Sequence, residues 1–134
     1  MTNEQAVALL DLARQAMKRA YVPYSHFPVG AVVVTADGSV FSGANIENAS
    51  FPLTCCAERT AVYAALNAGH TVIETVAVTA ERVDSVTPCG GCRQVLNEFK
   101  PADHDMTVIL DGPEPTILQL ADILPRAFGP RDLD

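Results

Sequence analysis

The chain has 134 residues and a mass of 14.3 kDa, about one domain by length. Hydrophobic residues make up 49% and charged residues 19%, and Gly and Pro together occupy 17 positions, a balance that excludes a disordered, collagenous or low-complexity chain. The net charge is −7, of which residues 1–67 carry −1 and residues 68–134 carry −6, and no basic run is longer than Lys18-Arg19; the chain therefore lacks the clustered positive charge needed to track a nucleic acid backbone or an anionic membrane.

Taken in chain order, Thr2-Asn3-Glu4-Gln5 has the spacing of a capping box, and Ala6, Leu9, Leu10, Ala13, Met17 and Ala20 recur at helical intervals. This predicts a helix over residues 3–20, ended by the Pro23 region. Residues 29–35 and 40–46 are rich in β-branched side chains, and Asp37-Gly38 between them marks a hairpin turn. The Ala- and Leu-rich run 57–68, followed by Gly69, reads as a second helix with a glycine stop. Residues 71–80 read as a buried strand and 89–100 as a helix halted by Pro101; 106–110 read as a strand and 116–124 as a short helix with Thr116 as N-cap. The order α-β-β-α-β-α-β-α predicts an α/β sandwich, a mixed sheet covered by helices, with residues 1–134 forming a single domain. No basic flank leads into an apolar run at the N-terminus, and no stretch approaches transmembrane length. A soluble, cytoplasmic protein with reduced thiols is expected.

The four cysteines fall in two short segments, Thr54-Cys55-Cys56-Ala57-Glu58-Arg59 and Thr87-Pro88-Cys89-Gly90-Gly91-Cys92-Arg93-Gln94. In a reducing compartment such grouping points to metal or redox chemistry rather than structural disulfides. Each group opens a predicted helix, where unsatisfied backbone N–H groups and the helix dipole favour thiolates. Two thiols from one helix start and one from another make three ligands, and three protein ligands with an open fourth position is the pattern of a catalytic zinc. Cys89 and Cys92 pair by spacing. Cys55 and Cys56 compete for the third place, because adjacent helical side chains diverge by about 100°. Cys56 is preferred because it forms a Cys-x-Glu unit with Glu58. In a regular helix those two side chains point about 200° apart, so both serve one site only if the metal lies off the N-terminal end of the helix. Cys55 then reads as a small buried hydrophobe; the competing arrangement is a structural site closed by all four sulfurs.

The Cys-Ala-Glu and Pro-Cys-Gly-Gly-Cys motifs resemble those of the zinc-dependent cytidine deaminases, whose signature is His-x-Glu followed by Pro-Cys-x-x-Cys. Cys56 stands where that signature has His, as its all-cysteine variant allows. The likeness continues through Val22-Pro23-Tyr24-Ser25-His26-Phe27-Pro28-Val29-Gly30-Ala31, Gly43-Ala44-Asn45-Ile46-Glu47-Asn48 and Leu124-Pro125-Arg126-Ala127-Phe128-Gly129-Pro130. It spans nearly the whole chain and resembles the short, homotetrameric nucleoside branch.

This resemblance implies a three-layer α-β-α sandwich with a central mixed β-sheet, and one Zn2+ per chain held by Cys56, Cys89 and Cys92. It implies hydrolysis of cytidine and 2'-deoxycytidine to uridine and 2'-deoxyuridine, with release of ammonia, in pyrimidine salvage. Glu58, not a ligand, would take a proton from the attacking water, deliver it to N3 of the pyrimidine and protonate the departing ammonia. Three thiolates and Zn2+ sum to −1, an excess that helix N-termini and Arg59 would offset. Asn45 and Glu47 alternate on one face of the second strand, and by resemblance they hold the ribose. By the same resemblance Phe27 packs on the base, Ala57 joins the substrate-binding set, and Phe128 reaches a neighbouring copy's site. The expected partners are a nucleoside and further copies of the chain, with no nucleic acid and no membrane. Three other readings compete. A deaminase of a cytosine nucleoside antibiotic would share the chemistry and differ in its pocket. A non-enzymatic zinc-binding module would close the site with four thiolates and be indifferent to Glu58. A thiol–disulfide oxidoreductase using Cys89 and Cys92 would leave Cys56 and Glu58 unexplained.

Overall fold

The computed structural model describes residues 1–133; Asp134, the last residue of the expected domain, lies outside the described residues. The chain runs α1 (Asn3–Met17), β1 (Val29–Thr35), β2 (Val40–Ala44), α2 (Ala57–Asn67), β3 (Ile73–Ala80), α3 (Gly90–Glu98), β4 (Thr107–Leu110), β5 (Thr116–Gln119) and α4 (Leu120–Ile123), with 3-10 turns at Phe51–Leu53 and Pro130–Leu133. The strands form one sheet in the order β2-β1-β3-β4-β5. Only β3 and β4 pair in parallel, with α3 in the connection between them; the other neighbours are antiparallel. The central strands β1 and β3 are near-continuous apolar runs because helices cover both of their faces. On one face Ala6 and Leu10 of α1 pack with Ala77 and Ile109. On the other, Ala57, Ala61, Val62 and Ala65 of α2 and Leu96 of α3 close over Ala31, Val33, Val76, Val78 and Val108. The expected mixed sheet in an α-β-α sandwich is therefore present. Among the described residues no helix is long and apolar enough to cross a membrane.

The sequence expectations differ from the structure in three places, each because a tertiary partner competes with local preference. Helix α1 ends at Met17 rather than at residue 20, since the Arg19 and Ala20 amides tighten to bonds three residues back, on Ala16 and Met17, and the Tyr21 amide donates to Asn45 O. The second strand stops at Ala44 rather than at residue 46. Beyond it, Ile46 makes isolated bridges to Tyr21 and Cys55. The largest difference is at 116–124, where the expected helix with Thr116 as N-cap does not form. Residues 116–119 are instead strand β5, and the short α4 begins at Leu120, capped by Gln119 with Asp122. A helix over this whole stretch would leave the outer edge of β4 unpaired. Pairing β5 on that edge satisfies it and turns Leu118 toward the core. Elsewhere element ends differ from expectation by a residue or two.

Two glycines set how closely the helices seat on the sheet. A Cβ at Gly30 would enter the α1 backbone at Ala13 and Met17; a Cβ at Gly43 would meet the Thr60 hydroxyl, the Ala61 amide and, at 2.8 Å, the Ala57 carbonyl. Helix main-chain atoms cannot rotate away. At Gly112, by contrast, an added Cβ makes only ordinary contacts, the nearest at 3.5 Å. Gly43→Ala is expected to cost about 2–3 kcal/mol in urea unfolding by overpacking, and Gly112→Ala less than about 0.5 kcal/mol. Equal losses would show that α2 does not depend on close approach at Gly43.

Candidate metal centre and pocket

Helices α2 and α3 begin at the same end of the sheet, and a cysteine stands at the N-cap of each. Cys56 precedes α2 in extended backbone (φ −70°, ψ 155°), and Cys89 precedes α3 likewise (φ −65°, ψ 169°). Cys92 sits in the first turn of α3 and donates its amide to Cys89 Sγ at 3.4 Å. The Sγ atoms of Cys56 and Cys89 are 3.8 Å apart and those of Cys89 and Cys92 are 3.3 Å apart; all three lie within 4.8 Å of one another. Because Cys56 is outside the helix, the sulfur group lies off the N-terminal end of α2. That is the condition under which Cys56 and Glu58 can share a site.

Cys55 is not part of the group. Its N–H and C=O pair with Ile46, which makes residues 55 and 56 extended rather than helical; successive side chains of an extended segment leave on opposite sides. Cys55 is half-buried, and burial pushes its thiol up. Tetrahedral zinc with bonds of about 2.3 Å spaces its sulfur ligands about 3.8 Å apart; the Cys56–Cys89 pair is already at that spacing and the Cys89–Cys92 pair is tenths of an ångström short of it. Three sulfurs, with no fourth in the group among the described residues, suit one zinc ion with an open position. The four-thiolate closure lacks its fourth sulfur.

Charge in the group is shared unequally. The hydrogen bond from the Cys92 thiol, opposed by burial and assisted by Arg59, brings Cys56 down to about 5; the same contact pushes Cys92 up. Arg59 Nη2 donates to Cys56 Sγ at 3.2 Å, and this bond holds the guanidinium above its usual value. Arg59 Nε is buried with no hydrogen-bond partner among the described residues. Glu58 is 4% exposed. Burial pushes its carboxyl up to about 7, with its own backbone amide opposing and the neighbouring Cys56 adding to the rise. A carboxyl at that value exchanges protons near neutrality.

Cys56, Cys89 and Glu58 face a cavity of about 160 Å³ whose apolar wall is Val29, Val78 and Val86 and whose lining includes Ala57, which is fully buried. A second hollow of about 390 Å³, lined by Tyr24, Ser25, Glu47, Asn48 and Phe51, adjoins it through Thr54, which lines both. Together they fall within the roughly 300–1,000 Å³ of small-molecule sites.

Asn45 and Glu47 lie beyond the end of β2 and divide between the two hollows. Asn45 lines the sulfur cavity. Its Oδ1 accepts from the Val29 amide and its Nδ2 donates to the Phe27 carbonyl, both at 2.9 Å, leaving one donor and one lone pair free. Glu47 lines the second hollow and accepts from the Tyr24 and Ser25 amides at 3.0 and 3.1 Å. The Ser25 hydroxyl, with these amides, holds its carboxyl below the usual range. Phe27 is half-buried and is not among the residues lining either hollow; its carbonyl accepts from Asn45 Nδ2. Phe128 is 59% exposed and lies outside both hollows of its own chain. Its carbonyl accepts from Gln94 Nε2 at 2.8 Å and from Asn97 Nδ2 at 3.1 Å. Sequence reasoning did not single out Thr54, Val78, Val86 or Thr87, which line the cavity. The valines look like any core residue in a strand or loop, and the threonines carry no distinctive spacing.

The profile of the family described as cytidine and deoxycytidylate deaminase zinc-binding region matches residues 3–108. The chain is similar to a cytidine deaminase of Halalkalibacterium halodurans, with 46% identity over 128 residues, 94% of this chain and 96% of that protein. It is also similar to a cytidine deaminase of Mycobacterium tuberculosis, with 42% identity over 122 residues, 90% of this chain and 87% of that protein. Among solved structures it is similar to cytidine deaminase from Burkholderia pseudomallei, with a TM-score of 0.84 and 42% identity over 96% of this chain and 100% of that one. With sulfur group, fold and sequence in agreement, the chain belongs to the cytidine and deoxycytidylate deaminase zinc-binding family.

Proposed function

We propose that the chain, acting as a single catalytic domain, hydrolyses cytidine and 2'-deoxycytidine to uridine and 2'-deoxyuridine with release of ammonia. The observation that carries this reading is the placement of Glu58, a buried carboxyl that faces the same small cavity as the sulfur group. A structural zinc module has no use for a costly buried carboxyl beside its metal. Cys56, Cys89 and Cys92 hold the ion, and bound zinc supplies a Lewis acid that lowers the pKa of water from about 15.7 to about 7. Glu58 takes a proton from the attacking water and places it on N3 of the pyrimidine as the water oxygen joins C4. It then takes the proton of the new C4 hydroxyl and hands it to the amino group as the C4–N bond breaks, so ammonia leaves and the C4 carbonyl remains. The two carboxyl oxygens let one residue serve both sides of this transfer. Arg59 and the two helix N-termini offset the −1 charge of three thiolates and Zn2+.

The apolar wall of Val29, Val78 and Val86 suits the flat face of a pyrimidine, and Glu47 in the adjoining hollow suits sugar hydroxyls. Asn45, lining the cavity, stands where base and ribose would join, Ala57 completes its floor, and Phe27 packs toward the base. This set fits a nucleoside used in pyrimidine salvage in the cytoplasm. A homotetramer is supported by a surface beside the Glu47 hollow, where Tyr24, Ile46, Phe51 and Leu53 are 50, 51, 73 and 69% exposed. Phe51 lies edge-on to Tyr24 with ring centroids 6.3 Å apart. Exposed apolar groups so close together mark an association surface, and Phe128 of a neighbouring copy would complete the substrate pocket.

Glu58→Gln is expected to keep its zinc and lose at least 10²-fold in turnover; near-normal activity in the zinc-loaded variant would refute the role. Metal analysis is expected to find zinc lost from Cys56→Ala, Cys89→Ala and Cys92→Ala and kept in Cys55→Ala. Zinc loss from Cys55→Ala would reinstate the four-sulfur site. Light scattering is expected to give four chains per particle, and Phe128→Ala to raise KM about threefold to tenfold through lost aromatic contact. A monomer, or an unchanged KM, would count against a shared site.

A further inference from the structure

All three guanidinium nitrogens of Arg93 donate hydrogen bonds, two of them to the segment that delivers Cys89. Nε donates to the Pro88 carbonyl at 2.7 Å, Nη2 to the Thr87 hydroxyl at 3.0 Å, and Nη1 to the Ile123 carbonyl at the end of α4 at 2.7 Å. Its backbone amide, one residue past Cys92, donates to the Cys89 carbonyl at 2.9 Å. One residue thus joins the approach to Cys89, the helix that carries Cys92 and the end of α4. No carboxylate pairs with the Arg93 guanidinium among the described residues, so its bonds are positional rather than ionic.

The Thr87-Pro88 stretch needs such an anchor. It belongs to no helix or strand, and Pro88 has no N–H to donate, so its carbonyl is the one main-chain handle it offers. Thr87 also lines the sulfur cavity. Movement of this stretch would shift Cys89 and the cavity wall together. A planar guanidinium has its donors at fixed angles, whereas an ammonium on a flexible stem does not.

We propose that Arg93 is a positioning residue that fixes Cys89 and the Thr87 wall relative to Cys92, and so sets how firmly the sulfur group holds its metal. This rests on the reading of Cys56, Cys89 and Cys92 as zinc ligands. Residues that orient metal ligands from behind typically change metal affinity 10–100-fold when removed.

The test compares zinc-loaded wild type, Arg93→Met and Arg93→Lys by the rate of zinc release to a chromogenic chelator, well below the unfolding temperature. The visible spectrum of the cobalt-substituted proteins reports the ligand geometry. Arg93→Met is expected to release zinc at least tenfold faster and to shift the cobalt spectrum. Arg93→Lys, which keeps the charge and loses the fork, is expected to release zinc at least fivefold faster. If Arg93→Met does not fold, Arg93→Lys carries the same test alone. Release within twofold of wild type and an unaltered cobalt spectrum would overturn the proposal, even if either variant melts at a lower temperature. Wild type that holds no zinc would instead contradict the metal reading itself, before any variant is compared.

Discussion

Two helix N-termini meet at one end of the sheet, and their convergence is the constraint on which the site depends. Cys56 caps α2, Cys89 caps α3, and their sulfurs are 3.8 Å apart. Each N-terminus presents unpaired N–H groups and about half a positive charge, which makes the place where they meet favourable for several sulfurs that would otherwise repel one another as they ionise. A displacement of α2 by one turn, about 5.4 Å, would remove Cys56 from the group altogether. The fold guards against this with Gly43 and with Ala57, Ala61 and Ala65, small residues that seat α2 directly on the sheet. On the other helix, Gln94 and Asn97 hold the Phe128 segment against α3, and Arg93 ties α3 back to the approach of Cys89.

The same convergence separates two carboxylates into different environments. Glu58, in the first turn of α2, is covered by the sheet and by the start of α3, and burial lifts its carboxyl to about 7. Glu47 lies outside the helices and is held low by Ser25 and Tyr24. One is fitted to move protons and the other to remain charged and accept hydrogen bonds. The net charge of −7 disfavours a polyanionic substrate, whereas an uncharged nucleoside meets no such barrier.

Much of the site was legible because chemistry at helix starts leaves local marks. The Cys-x-x-Cys spacing and the Cys-Ala-Glu run mark two helix N-termini with sulfurs, and both helices begin within one residue of expectation. The rivalry between Cys55 and Cys56 was not decided by helical geometry, because both residues lie outside the helix. It was decided by the bridge from Cys55 to Ile46, a contact between segments that no local pattern announces. Strand β5 was missed for a related reason. Thr116 is a good helix cap locally, but the unpaired edge of β4 offers those residues a ladder. Val78 and Val86, which shape the cavity, carry no signal that distinguishes a pocket wall from core.

A chain of this size buries an adequate core, yet Phe128 and the apolar surface around Phe51 are left outside it. On the proposed tetramer, a complete fold and a complete enzyme would be different things, the second built from several copies. The most direct measurement titrates zinc content and follows the cytidine-to-uridine absorbance change on the same preparation. The expected result is turnover that rises in proportion to zinc and saturates at one ion per chain. Full turnover without zinc, or a fully loaded protein that leaves cytidine unchanged, would contradict it.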